Sequence, residues 1–399
     1  MARTRKLLPA RVDIAHLISA GVLADACPRA LIEDVLRQHE RESQRERLLP
    51  APAVVYFVMA LALWREAPVE EVLRVVCEGL QWLSGGDSTT VLAGKSAISQ
   101  ARSRLGWEVM RDLGDRVLRP VAQPGAPGCW YRGLRVMAID GTCMDVADEA
   151  ANAAFFGYPG TRAGYSAFPQ ARLTALVECG THVVVAAEMG PYNHSEMAMA
   201  ARLLPRKLDA DMLLLADRGF YGYELWSSAC TTGAKLAWRV NSNLKLPVKQ
   251  HLPDGSYLSA VFAASDKARR RPLPVRVIQY TLEGGKNADK EIYRLITNIL
   301  DEQLAPANEL AALYHERWEI EGTLDEFKTH LRANSTVLRS KTPELVQQEL
   351  WGLLLAHFAI RQLMAQAAWS KGLDPDKLSF VHAVRVVKRK LPQAAAVPP

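Results

Sequence analysis

Long apolar runs are missing from this 399-residue sequence. The longest, Ala51 to Trp64, has 14 residues, whereas a membrane-spanning helix needs about 18–20. The basic N-terminus, MARTRKLLPAR, contains no apolar segment and no cleavage site, so secretion is not expected. Hydrophobic residues make up 49% of the chain and charged residues 23%, which is typical of a folded protein. We therefore expect a folded protein without a membrane partner.

Clustered cysteines are also missing. The six cysteines are scattered, with no CxxC pair and no Cys/His cluster: Cys27, Cys77, Cys129, Cys143, Cys179 and Cys230. This spacing argues against a disulfide framework and against a structural zinc site. It is typical of a protein in a reducing compartment, so a cytoplasmic location is predicted.

The excess of positive charge is small. The chain has 49 Lys and Arg residues against 43 Asp and Glu residues, which gives a net charge of +6 and a pI near 9.0. Clustered basic residues can neutralise phosphates and release counter-ions, although they are also ordinary solvated surface. Three such clusters occur: Arg3, Arg5, Lys6 and Arg11; Lys267, Arg269, Arg270 and Arg271; and Arg385, Lys388, Arg389 and Lys390.

Apolar spacing predicts helices throughout the first 120 or so residues. The candidates are Asp13–Ala20, Pro28–His39, Ala51–Trp64, Val69–Trp82 and Ser96–Leu118. In the last of these, Ile98 and Leu105 share an apolar face, and we assign Arg102 and Arg104 to the polar remainder. An apolar stripe beside an Arg/Ser/Gln surface suits a DNA-reading helix, and it equally suits the surface helix of an ordinary domain.

A Pro/Gly stretch separates this region from an α/β pattern. We predict a helical N-terminal DNA-binding domain over residues 1–122, a linker over 123–133, an α/β domain over 134–332 and a C-terminal helical region and tail over 333–399. The α/β part contains three strands, a helix, a strand, a helix and a strand, which favours a mixed sheet. Residues 241–300 break this rhythm with alternating apolar runs and are predicted to be an antiparallel β insertion.

Two carboxylates follow buried strands in the α/β region. Asp140 is predicted to end the strand from Leu134, and Asp217 ends the apolar run Met212–Ala216. Charged residues at the carboxyl ends of buried strands are costly unless they serve a site, and open α/β sheets bind ligands at that edge. For either aspartate alone, a helix cap or a turn is an equally good interpretation.

A late helix, predicted from Ala307 to about Arg332, adds a third acidic candidate. Polar side chains fall within a stripe of roughly 60° on one face of it: Tyr314, Arg317, Glu321 and Lys328. Asp325 lies near the same face, so helical geometry alone does not choose between it and Glu321. Salt-bridge pairs on an exposed helix would give the same pattern.

Two aspartates and a glutamate could together hold two Mg²⁺ ions. Carboxylates are the hard ligands that Mg²⁺ prefers, and a metal pair stabilises both the attacking and the leaving oxygen in phosphodiester cleavage. Arg317 and Lys328 would then anchor flanking phosphates, and Tyr314 could hydrogen-bond a phosphate or pack on a sugar.

These motifs resemble the DDE transposases of the insertion sequence 4 family. That family's signature is Tyr, two residues, Arg, three residues, Glu, six residues, Lys, and the late helix matches it at every spacing. The strand–Asp-Gly-Thr block is matched by AIDGT at 138–142, and the strand–Asp-Arg-Gly-Phe block by ADRGF at 216–220. Residues 12–105 look like the helical N-terminal domain of one branch of the family.

The resemblance implies a ribonuclease-H-like catalytic domain with a β-rich insertion before the helix that bears the glutamate. It also implies that Asp140, Asp217 and Glu321 are the catalytic metal ligands for two Mg²⁺ ions, with Mn²⁺ as a substitute. The expected contacts to the transposon end are Tyr314, Arg317 and Lys328. The long C-terminal dimerisation domain of some relatives is not evident, which leaves the dimer interface open.

Several other residues are weaker candidates. Arg218, next to Asp217, could contact a phosphate, and Trp238 could stack on an extruded base, although core packing is the simpler interpretation. His194 and Glu196 could approach the metal edge, or Glu196 could serve the helix dipole. Surface roles are favoured for Asp145 and Asp148, and packing roles are favoured for Trp318 and Trp351.

The predicted function is cut-and-paste transposition of an insertion sequence. The protein would bind double-stranded DNA at terminal inverted repeats, cut the element ends by two-metal-ion hydrolysis, and join the freed 3′-OH to target DNA. A homodimer in a synaptic complex and a nucleoid-associated cytoplasmic location are expected. Three alternatives stay open: a nuclease without strand transfer, a domesticated DNA-binding protein without catalysis, and a metal-dependent phosphohydrolase of small substrates.

Overall fold

Two compact units make up the chain, and neither is one continuous stretch. The helical unit comprises Met1–Arg119, Met144–Gln170 and Asp325–Pro399, and the sheet unit comprises Pro120–Cys143 and Ala171–Leu324. The C-terminal region thus clusters with the N-terminal helices, whereas the sequence predicted consecutive domains. The computed structural model describes residues 21–43, 49–83, 93–161, 164–281, 292–327 and 337–388. The predicted helix Asp13–Ala20 lies outside them.

Helices occur in most of the described segments for which the apolar spacing predicted them. In chain order they are Arg29–Gln38 (α1), Ala51–Leu63 (α2), Val69–Leu83 (α3), Lys95–Leu105 (α4), Trp107–Val117 (α5), Ala150–Phe156 (α6), Glu196–Lys207 (α7), Tyr223–Thr231 (α8), Ala307–Tyr314 (α9), Trp318–Asp325 (α10), Pro343–Trp369 (α11) and Phe380–Lys388 (α12). Among the described residues, no helix is long and apolar enough to cross a membrane.

Helix α11 forms the centre of the helical unit. Thr342 caps its start by accepting a hydrogen bond from Leu345 N, and Pro343 occupies the first turn, where no amide donor is needed. A β-carbon on Gly352 would lie 2.7 Å from the carbonyl oxygen of Val58. This glycine therefore lets the backbones of α11 and the fully apolar α2 approach closely.

The single helix predicted over Ser96–Leu118 is instead two helices. Gly106 separates them with φ 78° and ψ 163°, a backbone conformation that other residues rarely adopt. The glycine ends α4 and redirects the chain into α5. The prediction did not use Gly106 as a stop signal.

Arg102 is a correction to the predicted DNA contacts, because it lies inside the helical unit. It follows Ile98 by four residues and so shares the buried face of α4. Its guanidinium donates to Gln348 Oε1 at 2.8 Å and to Ser340 Oγ at 3.1 Å. Arg102 therefore holds α4 to the segment around α11 and is not available to DNA in this structure. Arg104 is exposed and stays a prediction.

The sheet has the predicted mixed character. Its strands are Trp130–Tyr131 (β1), Leu134–Val146 (β2), Gly160–Thr161 (β3), Gly164–Tyr165 (β4), Gln170–Glu178 (β5), Val183–Pro191 (β6), Met212–Ala216 (β7), Lys235–Arg239 (β8), Gln250–His251 (β9), Tyr257–Val261 (β10), Leu273–Thr281 (β11), Ile292–Thr297 (β12) and Val337–Leu338 (β13). Strands β3 and β4 form a separate two-stranded sheet, and the main order is β6-β5-β2-β7-β8-β12-β11-β10-β9.

Strands β2, β7 and β8 are parallel, and the hairpin β5–β6 and the run β8-β12-β11-β10-β9 are antiparallel. This confirms the ribonuclease-H-like mixed sheet and the β-rich insertion. The core is apolar, with all of Met212–Ala216 buried. Trp238 is fully buried against Trp226, with ring centroids 5.2 Å apart, so it is a core residue as the simpler interpretation held.

The β insertion is anchored to the start of α9 through Asp254. Arg276, fully buried on β11, donates to Asp254 Oδ2 at 3.3 Å and to the carbonyl oxygens of Ile299 and Asp301. The same Asp254 oxygen accepts from the amide of Ala307 at 2.9 Å, at the first residue of α9. This carboxylate thus fixes the insertion against the helix that leads to the candidate site.

Candidate active site

Asp140 and Asp217 lie side by side on adjacent parallel strands. Ile139 pairs with Ala216 at the last position of the β2–β7 ladder, and each aspartate is the next residue. Because the two strands run in parallel with matched register, both side chains leave the same edge of the sheet. The predicted neighbourhood of the two strands is confirmed. The predicted strand end is wrong, since β2 continues past Asp140 to Val146.

Asp140 is held in an unusual electrostatic setting. Its Oδ1 accepts a hydrogen bond from the amide of Gly141 at 2.8 Å. Burial raises the pKa of Asp140 to about 6, against the opposing effects of that hydrogen bond and of the Arg317 charge. The neighbouring carboxylates of Glu196 and Glu321 raise this pKa further. The site therefore favours a positive charge close to Asp140.

The signature helix is not one regular helix. Helix α9 ends at Tyr314, a 3₁₀ turn covers His315–Arg317, and α10 begins at Trp318. A 3₁₀ turn has fewer residues per turn than an α-helix, so it rotates the residues that follow. The predicted 60° stripe assumed an unbroken α-helix and is therefore not the observed arrangement. Lys328 lies outside the described residues.

Arg317 joins two of the predicted catalytic carboxylates. Its Nη1 lies 3.7 Å from Asp140 Oδ2, and its Nη2 lies 3.3 Å from Glu321 Oε1. Its side chain is only 7% exposed. Glu321 and Asp140 therefore contact the same guanidinium. This shared partner links Glu321 to the edge of the sheet more directly than its position in the helical stripe did.

Tyr314 lies beneath the site instead of on its surface. It is 2% exposed, and its hydroxyl donates to the carbonyl oxygen of Ala216 at 3.3 Å, directly before Asp217. Burial raises the pKa of Tyr314 above its usual range. The expectation of a direct DNA contact is corrected, because the phenol is occupied in supporting the end of β7.

Arg239 belongs to the same edge and was missed by the sequence analysis. Trp238 pairs with Ala216 on the next parallel strand, so Arg239 is in register with Asp217. Its Nη1 lies 4.0 Å from Asp217 Oδ1, and its guanidinium lies 4.1 Å from the centroid of the Tyr293 ring. The signal was available, since Arg239 follows the apolar run Leu236–Trp238 just as Asp217 follows Met212–Ala216.

Glu196 approaches the site through Gly141. A β-carbon on Gly141 would lie 2.3 Å from Glu196 Cδ, so the carboxyl group occupies the space that a larger residue would fill. Arg172 on β5 holds it with an ion pair of 2.8 Å. Glu196 thus reaches the backbone beside Asp140, as the weaker candidate interpretation allowed.

The remaining candidates separate by exposure. Arg218 is exposed beside Asp217, where a phosphate contact stays a prediction. Trp318 is 52% exposed with the Arg317 guanidinium 5.1 Å from its ring centroid, so the packing role expected for it is wrong. Trp351 is buried as expected.

Asp145 and Asp148 make local contacts within the helical unit. Asp145 accepts a hydrogen bond from Gln170 Nε2 at 2.8 Å, and the exposed Asp148 accepts one from the Tyr158 hydroxyl. His194 lies against Gly190, where a β-carbon would be 2.7 Å from its Nδ1. None of these contacts points to a catalytic role.

Asp140 and Asp217 suit a divalent cation in their chemistry. They are adjacent hard oxygen donors, and Asp217 Oδ1 is buried with no hydrogen-bond donor among the described residues. Within that part of the chain, no three His, Cys, Asp or Glu side chains are already grouped as a metal cluster. Glu321 is instead paired with Arg317.

Comparison with known proteins identifies the family. The family described as "Insertion element 4 transposase N-terminal" matches residues 17–115, and the "Transposase DDE domain" matches residues 131–359. The chain is 30% identical over 381 residues to the transposase InsG for insertion sequence element IS4 of Escherichia coli K12, covering 92% of this chain and 82% of that protein. It is 27% identical over 226 residues to the putative transposase InsZ of the same strain, covering 55% and 71%.

A cryo-EM structure of the piggyBac transposase synaptic complex with hairpin DNA is similar at a TM-score of 0.48 and 10% identity, over 95% of this chain and 80% of that one.

Two adjacent parallel strands whose last paired residues are each followed by aspartate, together with the Tyr-Arg-Glu segment later in the chain, are typical of a DDE transposase. The chain belongs to the insertion sequence 4 family of these enzymes. Transposases with this domain generally use divalent metal ions.

Proposed function

We propose that the chain catalyses cut-and-paste movement of its own insertion sequence. It would bind double-stranded DNA at the terminal inverted repeats, hydrolyse a phosphodiester bond at each element end, and join the 3′-OH to target DNA. The observation that supports this most directly is the matched register of Asp140 and Asp217 at one sheet edge. Family membership supplies the class of reaction.

Asp140, Asp217 and Glu321 would hold Mg²⁺ ions, with Mn²⁺ as a substitute. When bound, a pair of such ions stabilises the attacking and leaving oxygens and lowers the pKa of the nucleophile. The protein's part is to place the carboxylates. The Gly141 amide fixes Asp140 Oδ1, and Tyr314 fixes the backbone carbonyl before Asp217.

The cations around the carboxylates would position DNA. Arg317 has a planar fork that matches a phosphate group, and the exposed Arg218 stands next to Asp217. Lys328 is proposed to act with them as in the family signature. Arg104 on α4 and the basic clusters are proposed to contact the DNA backbone further away.

One site can perform both chemical steps. In the first, water attacks the phosphorus at the element end and the 3′-oxygen leaves. In the second, that 3′-OH attacks a target phosphodiester, and the 3′-oxygen of the target strand leaves. Both reactions exchange one oxygen for another at phosphorus, so no further reactant is needed. Two element ends must be processed together, which favours a homodimeric synaptic complex.

A strand-transfer assay tests this function. Duplex DNA carrying a pre-cut element end with a 3′-OH is incubated with the protein, Mg²⁺ and a supercoiled target plasmid. We expect plasmid joined to the end, and we expect no joining from a matched duplex that ends in a 3′-dideoxynucleotide.

Two other outcomes would contradict the proposal. Cleavage of uncut ends without any joining would identify a nuclease of the same fold. Binding without either reaction would identify a domesticated DNA-binding protein, which the intact carboxylates Asp140, Asp217 and Glu321 argue against.

A further inference from the structure

The guanidinium of Arg317 is buried but poorly hydrogen-bonded. Its one hydrogen bond to the described residues runs from Nη2 to Glu321 Oε1 at 3.3 Å. Its Nε is buried and finds no acceptor in the same part of the chain. Buried polar groups are usually hydrogen-bonded, so a guanidinium with a single long hydrogen bond has donors left for a further partner.

Arg276 shows what a structural arginine in this unit looks like. It is fully buried, and its two terminal nitrogens donate to three backbone carbonyls and to Asp254, although its Nε, like that of Arg317, finds no acceptor among the described residues. Arg317 has no comparable set of acceptors among the described residues. Its unused donors therefore do not serve the fold in the way that those of Arg276 do, and they suit an anionic ligand that is not part of this chain.

Arg317 also faces the oxygens that a cation would need. Asp140 Oδ2 lies 3.7 Å from its Nη1, and Glu321 Oε1 lies 3.3 Å from its Nη2. The contact to Asp140 is an ion pair without a hydrogen bond, so the guanidinium is held there mainly by charge. A divalent cation close to the same two carboxylates would repel the guanidinium.

The surrounding charges add to this conflict. Asp217 is already paired with Arg239, and Asp217 also contributes to the field at Arg317. Two arginines thus stand among three carboxylates. Loading one divalent cation changes the net charge of these five groups from negative to positive, and positive charge favours binding of a phosphate.

We propose that Arg317 is a built-in counter-ion that competes with divalent cations for Asp140 and Glu321 until a DNA phosphate draws its guanidinium away. Cation loading and DNA binding then strengthen each other, and thermodynamic linkage requires the same factor in both directions. The inference rests on the proposed function, because that function supplies the phosphate. Its consequence is that the carboxylates bind cations most tightly when DNA is in place.

Mn²⁺ binding to the full-length protein without DNA tests the competition. Free Mn²⁺ is followed by electron paramagnetic resonance for the wild type, Arg317→Gln and Arg202→Gln. Arg202 is the matched control, because it pairs with Glu188 at 2.8 Å on an exposed part of α7. We expect Arg317→Gln to bind Mn²⁺ about 10-fold more tightly, and Arg202→Gln to behave as the wild type. Unchanged or weaker binding by folded Arg317→Gln would overturn the proposal.

A duplex oligonucleotide of the terminal repeat tests the coupling. It should tighten Mn²⁺ binding by the wild type, and by a clearly smaller factor in Arg317→Gln. An equal factor in both proteins would overturn the proposal. Should Arg317→Gln fail to fold, the wild type alone remains decisive, since absence of any tightening by DNA contradicts the coupling.

Asp140→Asn separates this proposal from the assigned function. If Asp140→Asn binds Mn²⁺ with wild-type affinity, Asp140 is not a metal ligand and the proposed metal site is wrong. If Asp140→Asn loses Mn²⁺ binding while Arg317→Gln keeps wild-type affinity, the metal site is supported. Only the counter-ion role of Arg317 is then contradicted.

Discussion

The carboxyl group of Glu196 occupies the space beside Gly141 that a β-carbon would fill. Glycine is therefore needed at this position of the Asp-Gly-Thr block because a side chain would collide with Glu196. Its lack of a side chain allows a fourth acidic group, held by Arg172, to stand next to the backbone that carries Asp140.

Gly141→Ala should displace Glu196 and disturb Asp140. We expect DNA cleavage to fall by about 10–100-fold, as is typical when a group supporting a metal ligand is moved. The measurement is the initial rate of cleavage of a terminal-repeat duplex, with a thermal unfolding curve to show that the variant folds.

Gly219→Ala is the matched control, because Gly219 follows the other aspartate by two residues and nothing lies within 4 Å of the added carbon. Cleavage by Gly219→Ala should stay within a few-fold of wild type. Equal loss in both variants would show that the effect is not specific to the Glu196 contact.

Substitution of Arg102 should affect stability, whereas substitution of Arg104, on the same helix, should affect DNA binding. Arg102→Gln breaks buried hydrogen bonds to Gln348 and Ser340, so we expect the free energy of unfolding to fall by about 1–3 kcal/mol. Arg104→Gln should leave stability unchanged and weaken DNA binding, with the salt-dependence slope reduced by about one.

Urea unfolding and DNA titrations at several salt concentrations measure the two effects. Stable Arg102→Gln with weakened DNA binding would restore Arg102 as a DNA contact. If Arg104→Gln keeps the wild-type DNA affinity and the wild-type salt-dependence slope, Arg104 does not contact DNA.

Glu326 predicts how the helical unit responds to acid. It lies buried, hydrogen-bonded to His357 at 2.8 Å and paired with Arg361. Burial alone would raise the pKa of Glu326, but these two partners hold it below its usual range. The stabilisation is thus complete above the unfolded pKa of about 4.3 and is lost as the pH falls through the lower folded value.

Glu326→Gln should lower the free energy of unfolding by about 3–5 kcal/mol at pH 7, because it leaves Arg361 buried without its partner. Urea unfolding at pH 7 and at successively lower pH measures this, and the gap between variant and wild type should narrow below about pH 4. A gap that is constant with pH would contradict the charged pairing.

Local sequence signals predicted that Asp140 and Asp217 lie at one edge of the sheet. Met212–Ala216 is a strand with the bounds that its apolar run predicted, and Asp217 follows it. Parallel strands place their carboxyl ends together, which is why two aspartates far apart in sequence could be expected to meet. Arg239 obeys the same rule and could have been found with it.

Burial by distant partners could not be predicted. Arg102 is fixed by Gln348, 246 positions away, and nothing near Arg102 in the sequence indicates that acceptor. Tyr314 reaches Ala216 across 98 positions for the same reason. Trp318 is exposed because it follows the 3₁₀ turn His315–Arg317. A projection onto an ideal α-helix does not include such a turn.

The most direct test of the central claim compares isosteric variants of three carboxylates in one cleavage assay. Asp140→Asn, Asp217→Asn and Glu321→Gln should each reduce cleavage of a terminal-repeat duplex by more than about 100-fold while end binding is kept. Asp145→Asn, on the same strand as Asp140, and Asp325→Asn, one helical turn after Glu321, are matched controls that should cleave normally. Near-normal cleavage by any of the first three would contradict a shared catalytic site.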